Sequence, residues 1–187
     1  MSRLSSESLA AAAFNRAIAP RAPLYALLDA ARESSGVDQA QQAMLKCESL
    51  FAGDMGQMLK DVAPHLIEFP HRSAFRAWWF EQWGKSVGVL LEAPVGLSEV
   101  RRHLRTLTVV RDAAKSRYFF RFYDPRVLRT FLPVATADEL RQFFGPITAF
   151  YCEEEGGSEL LAFTLAAGNL SIKRRPVGTP APQEQGR

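Results

Sequence analysis

The apolar positions of the chain fall into short runs that are bounded by proline, glycine or charged residues. Such runs are typical of buried strands, in which both faces of the backbone meet apolar neighbours. The turn around Gly156 and Gly157 predicts that the runs on either side of it pair as a β-hairpin. The predicted strands are residues 24–29, 65–69, 86–92, 109–112, 117–123, 147–154, 159–166 and 170–173.

Elsewhere the apolar residues recur at the three- and four-residue spacing of a helix. Thr136 and Glu139 have the spacing of a capping box, and Gly145-Pro146 then ends that helix. One face of another predicted helix is formed by Leu97, Val100, Leu104 and Leu107. The predicted helices are residues 5–19, 37–45, 55–62, 75–84 and about 97–107, one that begins at 125 and one that begins at 137.

The alternation of strands and helices predicts a mixed α/β fold, in which helices flank a central mixed sheet and a β-hairpin lies near the C-terminus. Hydrophobic residues make up 47% of the chain and charged residues 23%, which excludes a disordered or fibrous protein. The length predicts one domain, or two tightly packed lobes, over residues 1–175. Residues 176–187 are rich in proline, glycine and glutamine and predict a flexible tail.

Charge at first suggests a nucleic-acid-binding protein, because the net charge is +3 and the pI is near 9.1. The segment that begins at Lys173 carries four bases and one acid, which accounts for the whole net charge. The rest of the chain is neutral, and it shows no known recognition module for DNA or RNA. We therefore expect no nucleic-acid partner.

Two cysteines, Cys47 and Cys152, cannot form a disulfide framework, and the chain has no CxxC pair for a metal or redox site. The longest apolar stretch near the N-terminus, residues 9–14, is too short for a signal-peptide core or a membrane span. The sequence predicts a cytoplasmic protein with no membrane partner.

Catalytic motifs are also missing from the sequence. His65, His71 and His103 are the only histidines, and they lack the spacing of HExxH. Neither a nucleophile elbow, a Walker loop nor a dinucleotide fingerprint is present. The three consecutive acids at 153–155 predict a solvated hairpin end rather than paired catalytic carboxylates. We expect no enzymatic activity, no cofactor and no metal.

The segment 121–128, RFYDPRVL, has the pattern of a strand that leads directly into a helix. Asp124 is a suitable N-cap, and Pro125 suits the first helical position. An extended strand would place Phe122 on one face and Tyr123 on the other. The simplest interpretation is a structural corner in which Arg121 or Arg126 pairs with Asp124, although three arginines in one corner are more than this requires.

Charge is distributed unevenly within the neutral body. Residues 101–129 carry nine bases and two acids, whereas residues 138–159 carry six acids and one base. Such segments can be ordinary solvated faces, but opposed patches can also orient a protein partner.

The helix predicted over 75–84 contains more aromatic residues than one face can cover. Phe75, Trp78 and Trp79 form one stripe, while Phe80 lies about 140° from Phe75 around the helix. Either the helix is buried on two sides, which we favour, or some of its aromatic surface is exposed to a partner.

Several segments, in this order, resemble a family of adaptor/chaperone proteins of bacterial type VI secretion that contain a domain of unknown function. The most specific is 120–128, FRFYDPRVL, and the resemblance extends over residues 24–147. The other matching segments are 24–30 (LYALLDA), 49–53 (SLFAG), 63–68 (APHLIE), 83–84 (WG), 89–91 (VLL), 103–105 (HLR), 131–133 (FLP) and 143–146 (FFGP).

The resemblance implies a non-enzymatic adaptor, typically encoded between the spike protein VgrG and a toxic effector. Such a protein binds its cognate effector in the cytoplasm and helps to load it onto the VgrG spike. The alternatives are a small hydrolase and a nucleic-acid-binding module. Our hypothesis for the partner-binding residues combines the basic segment with the aromatic helix: Arg102, Arg105, Arg121, Tyr123, Arg126, Arg129, Trp78 and Phe80.

Overall fold

A seven-stranded sheet forms the centre of the computed structural model, which describes residues 9–51, 53–59, 61–111 and 116–177. The order across the sheet is β2-β3-β1-β4-β7-β8-β9, and a separate two-stranded ribbon pairs β5 with β6. The strands are β1 (Leu24–Asp29), β2 (Cys47–Ser49), β3 (Pro64–Glu68), β4 (Gly88–Glu92), β5 (Val109–Arg111), β6 (Arg117–Phe119), β7 (Ala149–Glu153), β8 (Glu159–Ala166) and β9 (Asn169–Pro176).

Helices connect most of these strands, and 3₁₀ turns cover Leu132–Val134 and Glu155–Gly157. The helices are α1 (Leu9–Ala17), α2 (Ser35–Gln42), α3 (Gly53–Met58), α4 (Ala74–Glu81), α5 (Leu97–Leu107), α6 (Pro125–Phe131) and α7 (Ala137–Phe144). The predicted mixed α/β fold, with its flanking helices and the C-terminal hairpin, is confirmed.

The sheet is antiparallel, so the prediction of a mixed sheet was wrong. The α2 connection takes the chain from β1 to β2, and these two strands run in the same direction but have β3 between them. The α4 connection likewise takes the chain from β3 to β4, on the two sides of β1. Each helix thus spans two strand positions, and an antiparallel strand fills the gap.

Helices cover both faces of the sheet and create two hydrophobic cores. Alternate residues of β1 enter opposite cores, Leu27 on one side and Leu28 on the other. Helices α5, α6 and α7 pack on the Leu27 side, and α1, α2 and α4 pack on the Leu28 side. Burial on both faces explains why the strands read as continuous apolar runs instead of alternating patterns.

Helix α7, which packs on the Leu27 side of the sheet, begins and ends as predicted. The Thr136 hydroxyl accepts from the Glu139 backbone N–H, and the Glu139 carboxylate accepts from the Thr136 backbone N–H, completing the capping box of α7. Gly145 follows with φ +51°. A methyl group on its α-carbon would overlap the His103 ring. Nε2 of His103 donates to the Phe143 carbonyl oxygen at 2.9 Å.

The strand before the corner is shorter than predicted, because β6 ends at Phe119 instead of Tyr123. The chain then turns, and the backbone N–H of Asp124 donates to the carbonyl of Arg121 at 2.9 Å. This turn directs Phe122 and Tyr123 into the same core. The prediction that they occupy opposite faces was therefore wrong.

Several predicted boundaries fall at or beyond the described ranges. Strand β9 extends to Pro176, and Val177 donates its backbone N–H to the Ser158 carbonyl at 2.9 Å. The remainder of the predicted tail, 178–187, lies outside the described residues, as does the predicted start of the first helix at 5–8. Within the described ranges, every helix is too short or too polar to cross a bilayer.

Strand β4 contains a glycine at a point of close approach. A methyl group at Gly88 would overlap the carbonyl oxygen of Leu27 and would lie 2.8 Å from the Trp79 ring. We therefore expect Gly88→Ala to lower the free energy of unfolding by about 3 kcal/mol, because the neighbouring backbone of β1 cannot move aside cheaply. Urea unfolding monitored by tryptophan fluorescence measures this loss.

Gly96→Ala is the matched control, because a methyl group at Gly96 would meet no atom within 4 Å. Gly96 is the N-cap of α5, where alanine costs only a modest amount relative to glycine. Equal destabilisation by the two substitutions would contradict the packing of β1 on β4.

Candidate partner-binding surface

An ion pair with a buried carboxylate lies at the end of β1. Nη2 of Arg121 contacts Oδ2 of Asp29 at 2.6 Å, and the two residues are 92 positions apart. The Asp29 side chain is fully buried, whereas that of Arg121 is 43% exposed. Oδ1 of Asp29 accepts from the backbone N–H of Ala31. The ion pair joins the central strand to the segment that precedes α6.

The second pair of the corner is local. Asp124 is the N-cap of α6, and its carboxylate accepts from the backbone N–H of Arg126 and, at 2.6 Å, from the guanidinium of the same residue. Pro125 occupies the first turn as predicted. Burial would raise the pKa of Asp124, but the hydrogen bonds from Arg126 outweigh it and lower that pKa. Of the two predicted partners of Asp124, Arg126 is confirmed, and Arg121 pairs with Asp29 instead.

The third arginine of the corner connects it to the acidic hairpin. Arg129 is only 14% exposed, donates to the Glu153 carbonyl oxygen at 2.7 Å and lies 3.5 Å from the Glu154 carboxylate. Glu154 also pairs with Arg174 of β9 at 2.7 Å. At this point the basic and acidic segments neutralise each other, so they are not separate patches.

Glu153 is buried, which corrects the prediction of a solvated hairpin end for all three glutamates. Its carboxylate accepts from the backbone N–H groups of Gly84 and Ser86. Burial raises the pKa of Glu153, although these hydrogen bonds oppose the shift. Trp83 donates its indole N–H to the Gly157 carbonyl oxygen at 2.9 Å. These contacts tie the loop after α4 to the β7–β8 turn.

The aromatic helix α4 is buried on two sides, which confirms the interpretation we favoured. Trp79 and Phe80 are each 3% exposed, and Phe80 packs against Phe14 of α1 at 5.4 Å between ring centres. Trp78 is half-buried and stacks on Phe75 at 5.5 Å.

Three of the proposed partner-binding residues are therefore largely inaccessible to a partner. Phe80 and Tyr123 are buried in the two hydrophobic cores, and Arg129 is used by the hairpin. The sequence could not separate these residues from surface residues, because aromatic and arginine side chains serve both roles.

The arginines of α5 remain at the surface. Arg102 is 78% exposed, and the described acid that pairs with it is Glu99 at 3.9 Å. Arg105 is exposed, and no acid of the described part of the chain pairs with it. Arg101 differs from both, because it is held by Glu48 at 3.2 Å and by the Ser49 carbonyl oxygen. Arg102 and Arg105 line a shallow cleft together with Ser98, Arg101 and Thr106.

Sequence reasoning missed an exposed apolar surface on the β5–β6 ribbon. Tyr118 and Phe119 are 55% and 57% exposed, and Val110 is 43% exposed. Beside them runs a groove of about 530 Å³. The sequence does contain a sign of this surface, because the aromatic run at 118–123 extends beyond strand β6, which ends at Phe119. The groove is lined by Thr106, Leu107, Val109, Val110, Phe120, Phe131, Glu139, Gln142 and Phe143.

Comparison with known proteins identifies the family. Residues 24–142, almost two thirds of the chain, match the family described as Domain of unknown function (DUF4123). The chain belongs to the DUF4123 family. No curated protein and no solved structure matches the chain. The DUF4123 match begins with β1 and ends within α7, so it includes both residues of the Asp29–Arg121 pair and all of α5.

Two of the histidines of this DUF4123 domain contact main-chain carbonyl oxygens. Nδ1 of His65 is 2.8 Å from the Ala63 carbonyl oxygen, and burial lowers the pKa of His65. His103 bonds to the end of α7, and His71 is exposed. Within the described ranges, no group of three or more His, Cys, Asp or Glu side chains could hold a metal ion.

Burial raises the pKa of both thiols, Cys47 and Cys152. The pKa of Cys47 rises to about 11, and that of Cys152 rises further. Both cysteines are free. A raised pKa disfavours the thiolate, which is the nucleophilic form of cysteine.

Substitution of Arg121 measures how much the Asp29–Arg121 pair contributes to stability. We expect Arg121→Ala to lower the free energy of unfolding by about 2 kcal/mol, because it leaves the Asp29 carboxylate buried without its partner. The partial exposure of Arg121 keeps this loss below that of a fully buried pair. Urea unfolding measures the change, and Arg102→Ala is the control that should leave stability nearly unchanged.

A double substitution isolates the interaction energy between the Asp29 and Arg121 side chains. Asp29→Asn combined with Arg121→Ala should cost less than the sum of the two single substitutions, because no buried charge is left alone. Additive losses would contradict a direct interaction between these side chains.

The N-cap of α6 predicts a pH dependence. The folded-state pKa of Asp124 is below its ordinary value of 3.8, so the stabilisation by its ionised form is present above that value and is lost as the pH falls through the folded-state pKa. We expect Asp124→Asn, which retains a capping side chain, to cost about 1 kcal/mol at neutral pH. The difference from the wild type should shrink as the pH falls below about 4.

Unfolding curves at several pH values measure this difference. Asp138→Asn is the control, because the Asp138 side chain is 89% exposed and its one ion pair among the described residues is with Arg141, three residues away. A difference between wild type and Asp124→Asn that stays constant with pH would rule out an ionised Asp124 as the source of the stabilisation.

Proposed function

We propose that this DUF4123 chain is a non-enzymatic adaptor/chaperone that binds a cognate type VI secretion effector in the cytoplasm and promotes its loading onto the VgrG spike. The observation that carries the proposal is the exposed surface of the domain, where the apolar residues of the β5–β6 ribbon adjoin the exposed arginines of α5. The resemblance to the type VI secretion adaptor family supports the same function, and the DUF4123 match spans α5 and the β5–β6 ribbon.

The surface has the composition of a protein-binding site. Exposed aromatic residues supply apolar contact area, and arginines supply directional hydrogen bonds and charge complementarity. Tyr118 and Phe119 are more than half exposed although they lie in a strand, and Phe119 also contacts Phe51 at 5.8 Å between ring centres. Tyr118 and Phe119 are neighbours in β6 and lie on opposite faces of the ribbon. A partner that covered the Tyr118 ring, on the face that carries Val110, would remove apolar surface from water.

A hydrolase is less well supported. His65 and His103 each contact a main-chain carbonyl, and the pKa values of both thiols are raised. A nucleophile–base pair is the minimum that acyl-transfer chemistry needs, and these groups do not supply an activated one.

A nucleic-acid-binding function is also less well supported. Arg174 of the basic C-terminal segment pairs with Glu154 and Glu159, which reduces its charge toward phosphate. The exposed arginines of α5 adjoin an apolar groove instead of a continuous basic stripe.

The direct test is co-expression of this chain with the products of the neighbouring effector and VgrG genes. We expect a stoichiometric complex with the effector on size-exclusion chromatography with light scattering. Omission of this chain should reduce the amount of effector that co-purifies with VgrG.

The effector of an unrelated gene cluster is the control partner, and it should not form the complex. The proposal fails if the purified chain forms no complex with the neighbouring effector. It also fails if the chain instead retains DNA or RNA with an affinity that falls steeply as the logarithm of salt concentration rises.

A further inference from the structure

We infer that the groove between α5, the β5–β6 ribbon and α7 binds an amphipathic helical segment of the effector, with acidic residues of that segment on Arg102 and Arg105. This inference rests on the proposed function and specifies the chemistry of the partner. The groove that we mean is the one lined by Leu107, Val109, Val110, Phe120, Phe131 and Phe143, with a polar rim.

The floor of the groove is apolar and firmly placed. Phe143 is 2% exposed and contacts Phe131 at 5.4 Å and Phe120 at 6.3 Å between ring centres. Phe120 and Phe131 are half-buried and lie 4.8 Å apart. The half-buried rings of Phe120 and Phe131, supported by the buried Phe143, therefore present a preformed apolar surface, which suits the apolar face of a helix.

The ribbon continues this surface beyond the groove. Val110 lines the groove and is paired in register with Tyr118, so both side chains are on the same face of the ribbon. Tyr118 is 55% exposed. A bound helix could therefore contact apolar residues over more than one turn.

The two rims of the groove differ in charge. Thr106 lines both the groove and the arginine cleft, so Arg102 and Arg105 lie immediately beyond one rim. On the opposite rim lies Glu139, whose carboxylate accepts hydrogen bonds from the backbone N–H and the hydroxyl of Thr136. A segment in the groove would place its acidic flank toward α5 and a basic or neutral flank toward α7.

The arginine rim is available to an acidic partner. Arg102 is 78% exposed, and its one ion pair with a described acid is the 3.9 Å contact to Glu99. No described acid pairs with Arg105. In contrast, Arg121, Arg126 and Arg129 already pair with acids of this chain. Charge complementarity therefore selects the α5 rim, and it selects an acidic partner segment.

The test measures the affinity of the full chain for the neighbouring effector with two variants. Arg102→Glu with Arg105→Glu reverses the rim, and Val110→Glu places a charge in the groove at a side chain that is 43% exposed. We expect each variant to raise the dissociation constant at least about tenfold. The loss for the arginine variant should diminish at high salt, because screening weakens the interaction in the wild type.

Matched controls are available on other surfaces. Lys85→Glu with Lys173→Glu makes the same change of charge at two exposed residues, and Ile172→Glu places a charge at a 39% exposed apolar residue of β9. We expect these controls to bind like the wild type. Circular dichroism and thermal unfolding establish that every variant is folded.

A charge swap identifies the partner segment. Peptides that tile the effector should locate an amphipathic segment with acidic residues, and replacing those acids with lysine should restore binding to the Arg102→Glu, Arg105→Glu variant. Wild-type affinity for both groove variants would overturn the inference while leaving the adaptor function intact. Failure of the wild-type chain to bind the effector would overturn both.

Self-association is the remaining outcome. If light scattering shows a dimer of this chain that Val110→Glu dissociates while effector binding is unchanged, then a second copy occupies the groove and the inference is wrong.

Discussion

The ion pair between Asp29 and Arg121 is the constraint on which the arrangement of this fold depends. A carboxylate that is fully buried at the end of the central strand is expensive unless a cation and hydrogen bonds compensate it. Arg121 provides that cation from 92 positions further along the chain. The position of the segment before α6 is thereby fixed relative to β1.

The Asp29–Arg121 pair also constrains the position of the region between β4 and β7. This region contains α5, α6 and α7, which pack on one face of the sheet, and it also contains the β5–β6 ribbon. Phe122 lies beside Arg121 and is fully buried in that core, where it contacts Phe143 at 5.6 Å between ring centres. The exposed groove and the α5 arginines are carried by this same region. The surface that we propose for partner binding is therefore carried by elements that pack on the central sheet.

The sequence predicts most elements because their signals are local. The β1 and α5 bounds, the Thr136 capping box and the Asp124-Pro125 helix start each follow from neighbouring residues, and the structure confirms them. Strand order was not predictable in this way. That β3 lies between β1 and β2 depends on contacts between distant segments, and a pattern of alternating strands and helices is equally compatible with a mixed sheet. The partner of Asp29 is likewise a distant residue.

The same distinction explains why the candidate site was only partly predictable. In the sequence, Arg102, Arg105, Arg121, Arg126 and Arg129 are equivalent members of one basic segment. In the fold, the last three pair with Asp29, Asp124 and Glu154, so their charge is compensated within the chain. The first two project from α5 with little compensation, and only uncompensated charge can distinguish one partner from another. The net charge of the segment is therefore larger than the charge that a partner can bind. The charge available to a partner is that of Arg102 and Arg105, which adjoin an apolar groove.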